Sequence, residues 1–281
     1  MHLTYLDCRN YQGSGLAVPP LELRDALRAG RSATGLWAAI PSDFAVELMT
    51  VPGIDYVCVD QQHGVVDYAA MVGMFRAVEA RGSTPLTRVP VNEPSVIGRA
   101  LDAGAHGVVV PLVSTQEEAL AAVSACRYPP SGIRSFGPIR STLTLGSRDT
   151  AVLGDGMLCF VMVETREGLE NLDAIASTPG LDGIYIGPAD LALGLGLTPS
   201  LDREEPEHVD AIQRILKACQ ANDIVPGIQC SSGRAARRRL AEGFRLVTFG
   251  KDSALLRDAA RAELHAARGG SESDIESEGY S

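Results

Sequence analysis

The chain has no CxxC pair. Its six cysteines, at 8, 58, 126, 159, 219 and 230, are scattered along the sequence. That spacing argues against a zinc or disulfide framework and points to buried free thiols in a reducing cytosol. No apolar run approaches about 18 residues, so no membrane span is expected. The N-terminus lacks the basic-then-apolar pattern of a secretory signal, and the expected location is the cytoplasm. Positive charge is in deficit: the net charge is −10. An acidic balance argues against nucleic acid as the main partner, although a local arginine or metal can still hold a small anion. No GxGxxG follows the first apolar run, so a dinucleotide-binding sheet loses ground.

What is present is enough apolar material for a large core, 45% of 281 residues. Residues 1–20 mix Gly, Pro, Asn and Gln without a period, and 269–281 read "GGSESDIESEGYS". Both are expected to be tails, the second a disordered acidic one. Between them, over 21–268, eight short apolar runs alternate with helical patterns. The expected strands are 34–40, 56–60, 84–89, 107–112, 157–164, 183–187, 224–229 and 245–250. The expected helices are 43–50, 67–82, 94–103, 115–127, 167–177, 205–222, 232–242 and 251–268. In 115–127, Ala119, Leu120, Val123 and Cys126 recur at helical spacing. Strands too apolar for one-sided burial, each followed by a helix, give an α/β fold: a single (β/α)8 TIM barrel with flexible tails. A doubly wound sheet is the rival. The long connection 128–156, rich in Pro, Gly and Arg, is expected to be functional.

In such a barrel the chemistry sits at the carboxyl ends of the strands. The second strand ends in Asp60, Gln62 and His63, the third in Arg88, and the fifth in Glu164. The sixth runs into Gly187, Pro188, Ala189 and Asp190, and the seventh into Gln229. Taken singly, each has a plain reading. His63 suits a turn, Arg88 an ion pair, Glu164 the start of a helix, and Asp190 an N-cap. Taken together, they put a base, a cation and two carboxylates on one rim. Glu164 and Asp190 come from neighbouring strands and would repel unless a cation lay between them. Hard oxygen ligands suit Mg²⁺ or Mn²⁺, with Co²⁺ or Zn²⁺ as alternatives. Such a metal keeps open positions for the carboxylate and keto oxygens of a 2-oxo acid. With Arg88 it would stabilise an enolate, and His63 would move the proton. No lysine stands at the strand ends read as site-forming, and Lys251 reads as a helix-start residue, so a Schiff base is disfavoured.

These residues resemble those of the HpcH/HpaI aldolases, metal-dependent class II pyruvate aldolases of the phosphoenolpyruvate/pyruvate barrel superfamily. The matching stretches include "DYVCVDQQHG" 55–64, "RYPPSGIR" 127–134, "VETREGLENLDAI" 163–175 and "GIYIGPADLALGLG" 183–196, and the resemblance spans about 21–268. It implies that Glu164 and Asp190 are metal ligands and that Arg88 binds the pyruvyl keto oxygen. It also implies that His63 is the catalytic histidine and Asp102 its aspartate partner. The N–H groups near Ala189 and Asp190 would hold the substrate carboxylate. Members of the family form hexamers, often trimers of dimers with exchanged C-terminal helices, so a homo-oligomer is expected.

The departures concern the second substrate. The best-known members read "DGEH" where this chain has "DQQH" at 60–63, and they carry Gln where this chain has Met162. "RSFGPIR" 134–140 adds Arg134 and Arg140, expected near the rim either for a second anionic group or as an interface loop. The altered region also resembles the macrophomate-synthase-like branch, which decarboxylates oxaloacetate and adds the enolate to another electrophile. The expected reaction is therefore cleavage or formation of a 4-hydroxy-2-oxo acid from pyruvate and an aldehyde. Oxaloacetate decarboxylation is the alternative. A CoA-ester lyase is less favoured, because "RAARRR" 234–239 reads as a solvated helix face, and a non-catalytic barrel is less favoured because His63, Arg88, Glu164 and Asp190 are all present.

Overall fold

The structure is a computed structural model and describes residues 22–269. Apart from Gly269, the expected tails lie outside the described residues. Eight parallel strands form one closed barrel in chain order: β1 (Ala33–Ala38), β2 (Tyr56–Asp60), β3 (Thr84–Arg88), β4 (Gly107–Val110), β5 (Leu158–Met162), β6 (Gly183–Ile186), β7 (Val225–Gln229) and β8 (Leu246–Lys251). β8 closes on β1. The helices α2 (Asp43–Met49), α3 (Tyr68–Ala80), α4 (Pro94–Asp102) and α5 (Gln116–Cys126) follow the first four strands. After β5 come α7 (Arg166–Glu170) and α8 (Leu172–Ala176), and after β6 come α9 (Pro188–Gly194) and α10 (Pro206–Ala221). α11 (Gly233–Glu242) and α12 (Asp252–Ala267) complete the ring.

The strands are apolar throughout because both faces are buried. One set, including Val57, Val59, Val108, Val110, Val161 and Ile184, packs under the helices. The alternate set, including Trp37, Tyr56, Cys58, Leu86, Phe160 and Tyr185, fills the barrel interior. Large and small residues interlock there: a Cβ on Gly227 would lie 2.7 Å from the Tyr185 ring, and one on Gly35 would lie 2.6 Å from the Tyr56 ring. The hydroxyls of Tyr56 and Tyr185 both meet Thr248 Oγ1, at 2.9 and 2.6 Å, so the polar atoms of this core are satisfied.

Several features depart from the sequence reading. An extra helix, α1 (Glu22–Arg28), precedes the barrel, and its Leu23 and Leu27 close the amino-terminal mouth as part of the interior cluster. Burying a leucine is worth about 1.5–3 kcal/mol. The expected helix 167–177 is broken at Asn171, whose side chain donates to Ser114 O at 2.9 Å. Leu120, expected on the inner face of α5, is half exposed, and Ala122 and Ala125 are buried instead. The long connection contains a short helix, α6 (Ser141–Leu145), and a π-helical turn at Ala151–Asp155.

Candidate functional site

Inward alternation along β2 runs Tyr56, Cys58, Asp60; along β3 it reaches Leu86 and Arg88. Asp60 and Arg88 are register partners, so their side chains meet as a two-pronged ion pair. Arg88 Nε donates to Asp60 Oδ1 at 2.9 Å and Nη2 to Oδ2 at 2.7 Å. Asp60 Oδ1 also accepts the main-chain N–H groups of Gln62 (3.1 Å) and His63 (3.2 Å), folding the β2–α3 turn over the carboxylate. Burial pushes the Asp60 carboxyl up, but the Arg88 hydrogen bonds and charge outweigh it and hold it below its ordinary value. Burial likewise works against the Arg88 charge, and Asp60 more than restores it. The guanidinium lies 5.2 Å from the centre of the Trp37 ring. Arg88 Nη1 makes no hydrogen bond to the described chain, which leaves one edge of the cation unspent.

On the opposite side of the rim, β5 continues its inward alternation through Met162 to Glu164, which is 3% exposed. Glu164 Oε1 accepts the N–H of Leu112 at 3.0 Å. That N–H is aimed by a left-handed Leu112 (φ 55°), an unusual conformation for a bulky residue; β4 has already ended at Val110, before Pro111 and short of the expected strand end. Glu164 Oε2 is buried with no partner. Burial, then the charge of Asp190, pushes the Glu164 carboxyl up to about 7. Between the two acids stands Gly187. A Cβ there would lie 2.9 Å from Glu164 Oε2, 3.7 Å from Asp190 Oδ2 and 2.8 Å from Met162 Cε. The bare backbone at Gly187 keeps this space open. An orphaned buried carboxylate oxygen facing a second carboxylate is the environment a hard cation satisfies. No group of three His, Cys, Asp or Glu side chains able to hold a metal gathers among the described residues. A cation here would therefore rest on two carboxylates and keep other positions open.

Asp190 belongs to the first turn of α9, whose N-cap is Gly187 and first residue Pro188. The first main-chain bond of this helix runs from Leu191 N to Gly187 O. The N–H groups of Ala189 and Asp190 therefore precede the internal ladder and face outward from it. α9 sits close against the segment that follows β5: a Cβ on Gly194 would lie 2.5 Å from Glu164 O.

Asp102 is not brought to His63. It ends α4, close to where β4 begins, at the amino-terminal end of the barrel. There it accepts a 2.7 Å hydrogen bond from Arg134 Nη2. Arg134 and Arg140, expected near the rim, occupy that same far end. Arg134 is fully buried and also donates to Leu153 O (2.8 Å), while Arg140 pairs with Glu79 and donates to Ala103 O (3.1 Å). These charges are spent inside the chain, and the expectation that they face the rim does not hold. A cavity of about 440 Å³ opens at this end beside Arg127 and Arg245. Both arginines are tied to main-chain carbonyls, Arg127 also to Asp182.

Sequence reasoning missed two buried polar residues that shape the rim. Asp252, the first residue of α12, is fully buried and accepts Ala39 N at 2.8 Å and Ile40 N at 2.7 Å. His208 on α10 is also fully buried and bonds Pro188 O at 2.9 Å. The signal for Asp252 was an acid at the start of a helix; for His208 it was a polar residue on an apolar helical stripe.

A closed parallel barrel that gathers an arginine, a histidine and two facing carboxylates at its carboxyl rim has the make-up of a barrel enzyme. Known proteins narrow this class. The sequence profile of the HpcH/HpaI aldolase/citrate lyase family matches residues 33–259. A hydroxypyruvate/pyruvate aldolase of Rhizorhabdus wittichii is 42% identical over 247 residues, which cover 88% of this chain and 98% of that protein. A solved HpcH/HpaI aldolase/citrate lyase family protein from Burkholderia cenocepacia J2315 is 33% identical, with a TM-score of 0.82 over 88% of this chain and 98% of that one. A solved macrophomate synthase is 27% identical, with a TM-score of 0.79 over 88% of each chain. The chain belongs to the HpcH/HpaI aldolase/citrate lyase family, and it is a carbon–carbon lyase of the aldolase type.

Proposed function

We propose that this chain cleaves and forms 4-hydroxy-2-oxo acids, releasing pyruvate and an aldehyde, with a divalent ion held by Glu164 and Asp190. The observation that carries the reading is the partnerless Glu164 Oε2 facing Asp190 across Gly187. Mg²⁺ or Mn²⁺ suits this oxygen pair, Co²⁺ and Zn²⁺ less so. Once bound, the ion supplies Lewis-acid charge to the carboxylate and keto oxygens of the substrate.

The chain's own groups do the rest. The free edge of Arg88 donates to the keto oxygen, where negative charge develops as the C3–C4 bond breaks. Asp60 holds the guanidinium in place for this. The N–H groups of Ala189 and Asp190, beside Gly187 and Pro188, bind the substrate carboxylate. His63, exposed at the mouth and fixed by its main-chain bond to Asp60, takes the proton of the C4 hydroxyl. The electron pair of the broken bond is left on the pyruvate enolate, and protonation at C3 completes pyruvate. Gln62, whose Oε1 is buried without a partner, lies beside His63 and contacts the aldehyde half. Asp102 is left out of this reading because its carboxylate is spent on Arg134.

One observation favours a second reaction. No carboxylate pairs with the His63 ring among the described residues, so the base is unassisted within one chain. Decarboxylation of oxaloacetate yields the same enolate without a base. The test is release of pyruvate from a panel of 4-hydroxy-2-oxo acids and from oxaloacetate, with Mg²⁺ or Mn²⁺ and then with chelator. Metal-dependent release from the hydroxy acids supports the aldolase reading. Turnover of oxaloacetate alone replaces it with the decarboxylase.

The reading extends to assembly and location. α12 buries only Asp252, while Leu255, Leu256 and Leu264 are about half exposed. That uncovered stripe suits self-association, with a hexamer as the proposed state. The five described cysteines are buried free thiols, in keeping with a reducing cytoplasm. No described helix is long and apolar enough to cross a membrane.

A further inference from the structure

The buried face of α10 is built from Ala211, Ile212, Ile215, Leu216, Ala218 and Cys219, with one exception at its start, His208. An apolar residue would fill that place without desolvating an imidazole. The one hydrogen bond of the ring runs between Nε2 and Pro188 O, at 2.9 Å. A carbonyl only accepts, so Nε2 is the donor of that bond. Nδ1 is buried with no partner. The protein thus keeps a buried polar group that is half satisfied, and its single bond goes to the first residue of the helix that bears Asp190.

We infer that His208 is a positioning residue for the two-carboxylate cradle: by holding Pro188 O it fixes the Gly187–Asp190 turn and so the aim of the Asp190 carboxylate toward Glu164. This rests on the reading that Glu164 and Asp190 hold a divalent ion. α10 packs on β6, β7, α8 and α9, and it gives the imidazole a rigid base.

The test is calorimetric titration of Mn²⁺ into wild-type protein, His208→Leu and His208→Gln, alongside melting temperatures in chelator. Leucine fills the space without a donor, and glutamine keeps a donor able to reach Pro188 O. His208→Leu should bind Mn²⁺ about tenfold more weakly while still melting in one cooperative transition without metal. His208→Gln should bind within about twofold of wild type. Mn²⁺ affinity unchanged in His208→Leu overturns the inference and leaves the metal site standing. Equal loss in both variants makes the histidine a packing residue and also overturns it. Should His208→Leu not fold, His208→Met provides the same comparison with a more adaptable side chain. Wild-type protein that binds no Mn²⁺ overturns the cradle itself, and His208 with it; Glu164→Gln, which leaves His208 untouched, checks that bound Mn²⁺ sits there.

Discussion

At the residue scale, the two sides of the rim are buried charges handled in opposite ways. Asp60 is neutralised by Arg88, its register partner, whereas Glu164 feels the Arg88 charge only at a distance and its Oε2 is bonded to nothing among the described residues. Replacing Asp60 with Asn keeps the shape but leaves Arg88 buried and unpaired, which should cost about 3–5 kcal/mol. Urea denaturation should show that loss together with a fall in kcat, and an unchanged midpoint would contradict the pairing. Glu164 predicts a pH dependence for metal-free protein. Its folded value of about 7 lies above the ordinary 4.5, so the folded state holds the proton more tightly. The stability it contributes is complete below about pH 4.5 and is lost as pH rises toward 7, by a few kcal/mol. In chelator at pH 8, Glu164→Gln should therefore melt higher than wild type, and in excess Mn²⁺ it should melt lower. A variant that melts lower in both would show that Glu164 is not a strained, empty ligand. The identities of these residues were legible in the sequence, because each ends an apolar run. Their pairing was not. That Asp60 binds Arg88 depends on strand register, and the bond that holds the other Glu164 oxygen, Oε1, depends on the left-handed turn at Leu112, which no local motif announces.

At the scale of elements, the rim loops are braced by groups far away in sequence. Asp252 at the start of α12 accepts two main-chain N–H groups just after β1. The same stretch accepts Val65 N at Ala39 O (3.1 Å), next to the turn that carries His63. Asp252→Ala strands two buried donors and should cost roughly 1–3 kcal/mol for each. Scanning calorimetry should show a fall of several degrees, and a loss within a degree would make the cap dispensable. Helices with a strong stripe, such as α10, were legible almost to the residue. The helix 167–177 was not, because the tie from Asn171 to Ser114 that breaks it is tertiary. α1 was missed because two leucines four apart in an aperiodic stretch carry too little periodicity. In the long connection, the expected functional role is not what the structure displays: the chain there folds into a short helix and a π-helical turn. Its Arg134, and Arg140 beyond it, turned to the far end of the barrel because Asp102 and Glu79 wait there near helix ends.

At the scale of the whole molecule, eight apolar runs with helices between them leave few arrangements other than a closed parallel barrel, and that much of the fold could be read directly. Assembly could not, since α12 looks like any amphipathic helix until its leucines are found uncovered. Charging that stripe by Leu255→Glu with Leu256→Glu should lower the molar mass seen by light scattering while far-ultraviolet dichroism stays unchanged; an unaltered mass would place the contact elsewhere. The central claim is that Glu164 and Asp190, with Arg88, make this barrel an enolate-forming site. The most direct test is exchange of the methyl protons of pyruvate in D₂O, followed by NMR with Mn²⁺-treated, chelator-stripped and Glu164→Gln protein. The account predicts exchange with metal, none in chelator and none in the variant. Exchange that persists in chelator or in Glu164→Gln, or its absence from the metal-loaded protein, would contradict it.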